Sequence, residues 1–492
     1  MTLTLQHSPY THILLQLTDD DWSHTPEAVR QVVERLWEEN QRLREQLGQT
    51  SRNSHRSPSS DPPTAPKREK TPTGRQAGGQ AGHADTNRPL VGEDRVTEIV
   101  SLRPARCRQC GAALSAAAAT APRRHQLWDL PPITATVTEY RLHTLLCPQC
   151  GTATAAELPP GVPTGAYSPR VAAVAATFTG QYHLSKRAAA EVLETLCGLP
   201  ISAGSISTLE ATVSAALAAP VAEAREAARA AECKWVDETG WAQQREPDPA
   251  DPAPPGKLAR AWLWVVVTAA VTLFCIRRSR GAKVARELLS DDPRGIIHSD
   301  RHSAYHWLET PRRQLCWAHL QRDFQRLVDR GGVAAGIGEA LLAQTRQLFA
   351  HWHRIRDGTL ARADFVARMA PVQATVRTLL QEGATTADAR TVTFCRILQR
   401  LDTALWSFVT NEGVEPTNNR AERAIRPAVL WRKMSFGTQT SAGSRFVERV
   451  MTATATCRQQ QKNILDYLTA VAEAAYHRQP PPSLLQPPTV TL

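Results

Sequence analysis

Three short stretches, far apart in the chain, each set one carboxylate among cationic side chains: Lys234-Trp-Val-Asp-Glu-Thr-Gly-Trp241, Ile296-Ile-His-Ser-Asp-Arg-His-Ser-Ala-Tyr305 and Thr417-Asn-Asn-Arg-Ala-Glu-Arg-Ala-Ile-Arg-Pro427. Asp237, Asp300 and Glu422 are therefore the candidate catalytic ligands. In two-metal phosphoryl transfer, ions ~4 Å apart activate the attacking oxygen and stabilise the leaving one, and carboxylates are the ligands that Mg2+ (or Mn2+) prefers. The third stretch opens a cationic region: residues 418–462 hold nine Lys or Arg against Glu422 and Glu448, a net +7. Arg420, Arg432, Lys433 and Arg445 are candidates for contacting a DNA backbone, and binding through such a surface depends on salt.

Each of these residues also has a plainer use. Glu238 is a rival ligand to Asp237, although adjacent strand residues face opposite sides of a sheet. Asp300 could cap a helix. Asn419 and Glu422 form a capping-box pattern, and Glu422 can pair with Arg426 one turn on. His298, Asp300 and His302 alternate as a zinc-hydrolase ligand set would, but a strand ending at Asp300 breaks that set. Cys316 and His319, three apart on a helix running toward Leu327, could be a packed face or a support for the site.

A second constellation is Cys107-Arg-Gln-Cys110-Gly111 with Cys147-Pro-Gln-Cys150-Gly151. Two residues between thiolates let both sulfurs reach one tetrahedral ion, and each following glycine permits the tight turn. Cys107, Cys110, Cys147 and Cys150 thus read as ligands of a structural Zn2+, with a hairpin expected over Thr134–Leu146.

The elements that must position these groups follow in order. Residues 1–24 show no clear period. Within a helix expected over 25–50, Val29, Val33, Leu36, Leu43 and Leu47 recur three and four apart, with Asn40 on the same stripe, as in a short coiled-coil seam. Residues 51–105 are mostly Ser-, Pro-, Gly- and Arg-rich and read as a disordered basic linker. The zinc ribbon takes 106–152. An alanine-rich helical segment, 165–231, includes Leu196–Leu209, which resembles a helix, a turn and a second helix and is a possible DNA reader. Strands over 233–237, 262–268 and 271–276, a helix over 282–289 and a strand over 295–299 follow the element order of a ribonuclease H-like fold. The catalytic domain is expected over 232–309 and 413–475, interrupted by a helical insertion over 310–412. Residues 476–492 read as a disordered tail.

At 492 residues the chain needs several structural units. Its net charge of +11 favours a polyanionic partner. The uncharged run Ala261–Ile276 is short of the ~20 residues of a membrane span and reads as two strands. No basic leader followed by an apolar core is visible, and ten cysteines with two paired knuckles suit a reducing cytoplasm.

Over nearly its whole length the sequence resembles the insertion sequence 66 family of transposases, a member of the DDE group. The resemblance is carried by Glu39-Asn-Gln-Arg-Leu-Arg44, the Gly74–His83 linker, both knuckles, Tyr167-Ser-Pro-Arg170, Pro200–Ile206, Asp237-Glu-Thr-Gly-Trp241, Asp300 with Tyr305, Cys316-Trp-Ala-His319 and Asn418–Pro427. It implies a multidomain α/β chain with Asp237, Asp300 and Glu422 as the triad. It also implies supporting roles for Cys316, His319, Asn418, Asn419, Arg423 and Arg426. The implied activity is cleavage of double-stranded DNA at element ends and joining to target DNA by a dimer or larger assembly, with possible accessory proteins. The alternatives are a zinc-ribbon regulatory protein with an inactive centre, or a structure-specific nuclease.

Overall fold

The structure is a computed structural model that describes residues 23–54, 89–114, 121–244 and 258–485. The sequence readings for 1–22, most of the linker, the proline-rich 247–256 and the last seven residues lie outside them.

The centre is a mixed five-stranded sheet. Its strands are β3 (Cys233–Gln244), β4 (Leu258–Val267), β5 (Thr272–Arg277), β6 (Ile296–Ser299) and β7 (Arg313–Leu315), in the order β5-β4-β3-β6-β7; two further strands, β1 and β2, precede them in the chain. The β3–β4 and β4–β5 pairs are antiparallel, while β6 and β7 run parallel to β3. The apolar run of β4 is buried on both faces, which is why it reads as a continuous block instead of an alternation. Gly295 (φ +67°) admits β6 to its place: a Cβ there would meet Glu232 O at 2.0 Å, where Ile296 N donates to that same oxygen.

The sequence reading ends β3 at Asp237. It instead runs on to Gln244 against β4, since buried Trp241 continues the apolar face. β7 lies inside the stretch expected to be an all-helical insertion. Three residues are too few to show a period.

The free edge of β5 is covered by a helix. Among α12 (Asn419–Ser435), α13 (Ser441–Gln459) and α14 (Ile464–Tyr476), it is α13 that presents Glu448, Thr452 and Thr456, one per turn. Glu448 Oε1 accepts from Ile276 N (2.5 Å), Thr452 Oγ1 from Phe274 N (3.0 Å) and Thr456 Oγ1 from Thr272 N (3.2 Å). Residues four apart on a helix thus match alternate amides of a strand edge that would otherwise template aggregation.

The helices before the sheet, α2 (Pro169–Gly180), α3 (Lys186–Cys197), α4 (Ala203–Ala216) and α5 (Ala218–Ala230), share one hydrophobic cluster with it, with α6 (Ala282–Leu289), and with α12 to α14. α7 (Trp317–Arg330), α8 (Gly332–Arg356), α9 (Arg362–Gly383), α10 (Ala389–Arg400) and α11 (Asp402–Thr410) build a second cluster that reaches the sheet through Leu315. Trp406 and Trp352 lie in that second core. Among the described residues no single helix is long and apolar enough to cross a membrane.

The tail expected to be disordered is anchored near the end of its described part, although residues 477–480 are exposed. Leu484 is fully buried in the first cluster, and Tyr467 Oη donates to Pro482 O (2.9 Å). One leucine and a backbone acceptor suffice to hold it, which composition does not reveal. α1 (Glu27–Leu47) keeps the expected stripe, with Val29, Leu36, Leu43 and Leu47 exposed.

The cysteine region has little regular structure. The hairpin expected over Thr134–Leu146 is not formed; β1 (Thr144–Leu146) and β2 (Ala153–Ala155) instead pair around the second knuckle. That knuckle's own turn closes the hairpin, with Cys147 N donating to Thr152 O (2.9 Å) and Gly151 N to Cys147 O (2.8 Å).

Candidate active site

Asp237 and Asp300 are brought together by strand register. Cys233, Lys234 and Trp235 of β3 face Ile296, Ile297 and His298 of β6, so two more residues along both strands set Asp237 beside Asp300. Burial, and then the negative charges of Glu238, Asp300 and Glu422, hold the Asp237 carboxyl well above the usual carboxylate range. The three sequence-predicted carboxylates therefore share one field.

Glu238 is committed elsewhere. It accepts from Arg280 Nε (2.7 Å) and, at close range, from the buried Tyr305 hydroxyl. Asp300 closes the loop after β6, accepting from His302 N (2.9 Å). Beneath that loop Arg313, fully buried, donates to Ser299 Oγ (3.0 Å) and to the carbonyls of Asp300 (2.6 Å) and Tyr305 (3.3 Å). Burial lowers its pKa to about 10. His298 is a packing residue: it stacks on Trp235, its Nδ1 lies 3.1 Å from Lys234 O, and its Nε2 accepts from Glu415 N (3.2 Å). Burial drops its pKa to about 3, so the ring is neutral.

Glu422 sits in the first turn of α12, where a carboxylate complements the helix dipole. Its Oε1 lies 3.5 Å from His319 Nδ1 and its Oε2 3.8 Å from Arg322 on α7. Cys316, His319 and Glu422 form the one cluster of three His, Cys, Asp or Glu ligand atoms within 4.8 Å of each other among the described residues. Burial, and then Glu422, push the Cys316 thiol up to about 12. It is thus a protonated group that accepts from Asn418 N (3.2 Å). Arg322 escaped the sequence reading, although its place three residues after His319 puts it on the same helix face.

The expected capping box is not built. The N-cap of α12 is Asn418, with no side-chain cap bond, and Asn419 is the exposed first helical residue. Asn418 Nδ2 instead donates to Val236 O (2.8 Å), next to Asp237. Its Oδ1 is buried and takes no hydrogen bond from the described residues. A cap would satisfy the helix, whereas this bond ties the helix to β3.

The basic residues divide. Arg432 turns inward to Thr239 Oγ1 (2.8 Å) and, at close range, Gly240 O. Arg420 donates to Glu415 (2.8 Å) and lies over the Trp235 ring. Arg423, Arg426, Lys433 and Arg445 are exposed. At the knuckles, amides of Cys110 and Gln109 lower the Cys107 pKa, and Thr152 lowers that of Cys150. The four cysteines do not meet at one point: no three of their sulfurs lie within 4.8 Å of one another.

The sequence model of the transposase IS66 family matches residues 164–445, which hold every carboxylate of the site. A family of unknown function (DUF6444) matches residues 20–89. An uncharacterized protein, y4qI, of Sinorhizobium fredii (strain NBRC 101917 / NGR234) is 29% identical over 240 residues, covering 44% of this chain and 43% of that protein. The match thus spans less than half of that relative's length. With more than half of its length matched, the chain belongs to the IS66 transposase family.

Proposed function

We propose that the protein is a DNA transposase that cleaves the ends of its mobile element and joins them to target DNA through a two-metal site on Asp237, Asp300 and Glu422. The observation that carries this reading is the parallel register of β3 and β6, which sets two carboxylates side by side on the sheet with a third charge close enough to raise Asp237. The strand order β5-β4-β3-β6-β7, in which β4 alone runs antiparallel to the other four, supports a ribonuclease H-like description of the catalytic domain. Carboxylate oxygens suit Mg2+ or Mn2+; those of Asp237, Asp300 and Glu422 do not all lie within 4.8 Å of one another, and a divalent cation between them would relieve their repulsion.

Asp237, Asp300 and Glu422 would hold such cations, whose chemistry would be to activate the attacking oxygen and stabilise the leaving one. The chain's own residues do the positioning. Asp237 and Asp300 offer oxygens from adjacent strands, Arg313 fixes the Asp300 loop from below, and Asn418 pins α12 to β3. His319 and Arg322 hold Glu422, while Cys316 packs under the turn. Arg423, Arg426, Lys433 and Arg445 present the exposed charge a phosphate backbone needs. Water attacks first and the freed 3′ hydroxyl second; both are in-line displacements without a covalent enzyme intermediate, so one site serves both.

The four cysteines are proposed to hold structural Zn2+. The lowered thiol pKa values of Cys107 and Cys150 favour the thiolate ligand, and closure of both knuckles on one ion requires movement of their sulfurs. The α1 stripe is proposed to pair with a second copy in a dimer or larger assembly.

The test is incubation of purified protein and Mg2+ with DNA carrying the gene's own flanks, scoring 3′ hydroxyl ends and strand joining beside Asp300→Asn. Cleavage at inverted ends that the variant loses supports the reading. Bound but intact DNA, with or without neighbouring gene products, favours a regulatory protein with an inactive centre.

A further inference from the structure

Next to the proposed active site lies a second cationic feature. Arg301, whose Cα is ~3.8 Å from that of Asp300 along the chain, points the other way into a pocket of about 420 Å3 between α7 and α10. Arg326, Arg330 and Arg390 line the same pocket, with Phe394 beneath Arg301 at 5.0 Å. Two carboxylates of the pocket's own helices answer these four guanidiniums. Asp323 accepts from Arg301 (2.6 Å) and Arg326 (2.8 Å), and Asp388 from Arg330 (2.8 Å). That leaves a formal surplus of two positive charges.

One of these two charges is met from more than 280 residues away in sequence. Glu45, near the end of α1, reaches Arg330 Nε (2.9 Å) with one carboxylate oxygen and Arg390 (2.7 Å) with the other. Just beyond the helix, Asn53 O accepts from Arg326 (3.0 Å) and Asn53 Nδ2 donates to Asp329 (2.7 Å). α1 is held here by polar groups, while Leu43 and Leu47 on its last turns stay exposed. Such a contact is screened by salt and yields to a better anion. A carboxylate spanning two guanidiniums has the geometry in which arginine also binds phosphate.

We propose that the pocket of Arg301, Arg326, Arg330 and Arg390 binds the phosphate backbone of the DNA leading into the site, and that Glu45 occupies it until DNA displaces α1. The assignment rests on the transposase reading. A strand whose reacting phosphate lies at Asp300 passes Arg301, so its neighbouring phosphates fall within reach of the pocket. α1 is then a tethered competitor: the fraction of molecules with the pocket open scales the apparent affinity for DNA.

The experiment measures binding of a random-sequence duplex to the full chain at fixed salt, with Ca2+ in place of Mg2+ to prevent cleavage. Glu45→Gln should tighten binding about five- to tenfold. Glu39→Gln, on the same helix with Arg42 as its partner and the same change in net charge, should leave it unchanged. Arg390→Ala should weaken binding and abolish the gain from Glu45→Gln. Unchanged affinity in Glu45→Gln, or an equal gain in Glu39→Gln, overturns the proposal while leaving the transposase reading in place. Failure of the unaltered chain to bind duplex DNA removes both. Should Arg390→Ala fail to fold, the two glutamate variants still decide the matter.

Discussion

Two regions of this chain carry metal-ligand motifs, and they are built in opposite ways. Around Asp237, Asp300 and Glu422 a continuous core fixes every supporting element: buried tryptophans and valines of β3 and β4, a buried arginine under the Asp300 loop, and a helix pinned by Asn418. Around the four cysteines there is almost no core. Leu102, Leu127 and Val137 are 89–91% exposed, and the strands there are three residues long. In the first region packing places the proposed ligands without an ion. In the second, the proposed zinc would have to supply the folding energy itself, as in small zinc modules.

The contrast is sharpest in the carboxylates themselves. Asp237→Asn or Asp300→Asn should cut strand cleavage by ~10³-fold or more, since metal positioning is worth several kcal/mol of transition-state stabilisation and each ~1.4 kcal/mol is tenfold. Gel analysis of labelled element ends reads this, and near-normal cleavage in either variant would remove that residue from the site. In the cysteine region the expected effect is structural: Cys107→Ser with Cys147→Ser should release zinc and make residues 106–152 readily proteolysed. The main unfolding midpoint should move by no more than about 1–2 °C, because locally unstable units open independently of the core. A large fall in that midpoint would mean the two regions are one cooperative unit.

Asn418→Ala should lower activity about 10–100-fold, the range for outer-shell partners of metal ligands, with DNA affinity unchanged. Arg322→Ala touches Glu422 only through a 3.8 Å, partly exposed ion pair. It should cost activity roughly fivefold or less. The smallest effect is on stability. The folded-state pKa of Asp237 is raised, so this group's contribution is present at acid pH and is lost as pH rises through its folded value. Without divalent cations, Asp237→Asn should therefore raise the melting temperature at pH 8 by roughly 2–4 °C, and by less at pH 5. Equal shifts at both pH values would show that the carboxylate is not held protonated by its neighbours.

Much of the site was legible because its signals are local. Val236 and Asp237 lie on a strand whose apolar residues mark it, and the helix over Ala282–Leu289 follows from periodicity alone. The Cys316–His319 pair is a local spacing, although Cys316 is the extended N-cap of α7 and only His319 lies within the helix. What escaped depends on partners remote in sequence. Asn419 and Glu422 form a correct capping pattern, yet Asn418 is drawn to Val236 O, and the box gives way to a tertiary bond. Arg432 reads as a DNA contact by composition, but Thr239 and Gly240 turn it inward. β7 is three residues of β-structure with no pattern to find.

The sequence by itself determined the family, the candidate ligands and the main strands and helices around Asp237 and Asp300, because side-chain type and periodicity are properties of neighbours along the chain. Tertiary structure alone decided that Asp237 and Asp300 share a register, that α13 closes the β5 edge, that Glu422 leans on His319 and Arg322, and that Glu45 pairs with Arg330 and Arg390. Those facts depend on which distant groups compete best for each hydrogen bond and charge, and that competition is settled only when the core is packed.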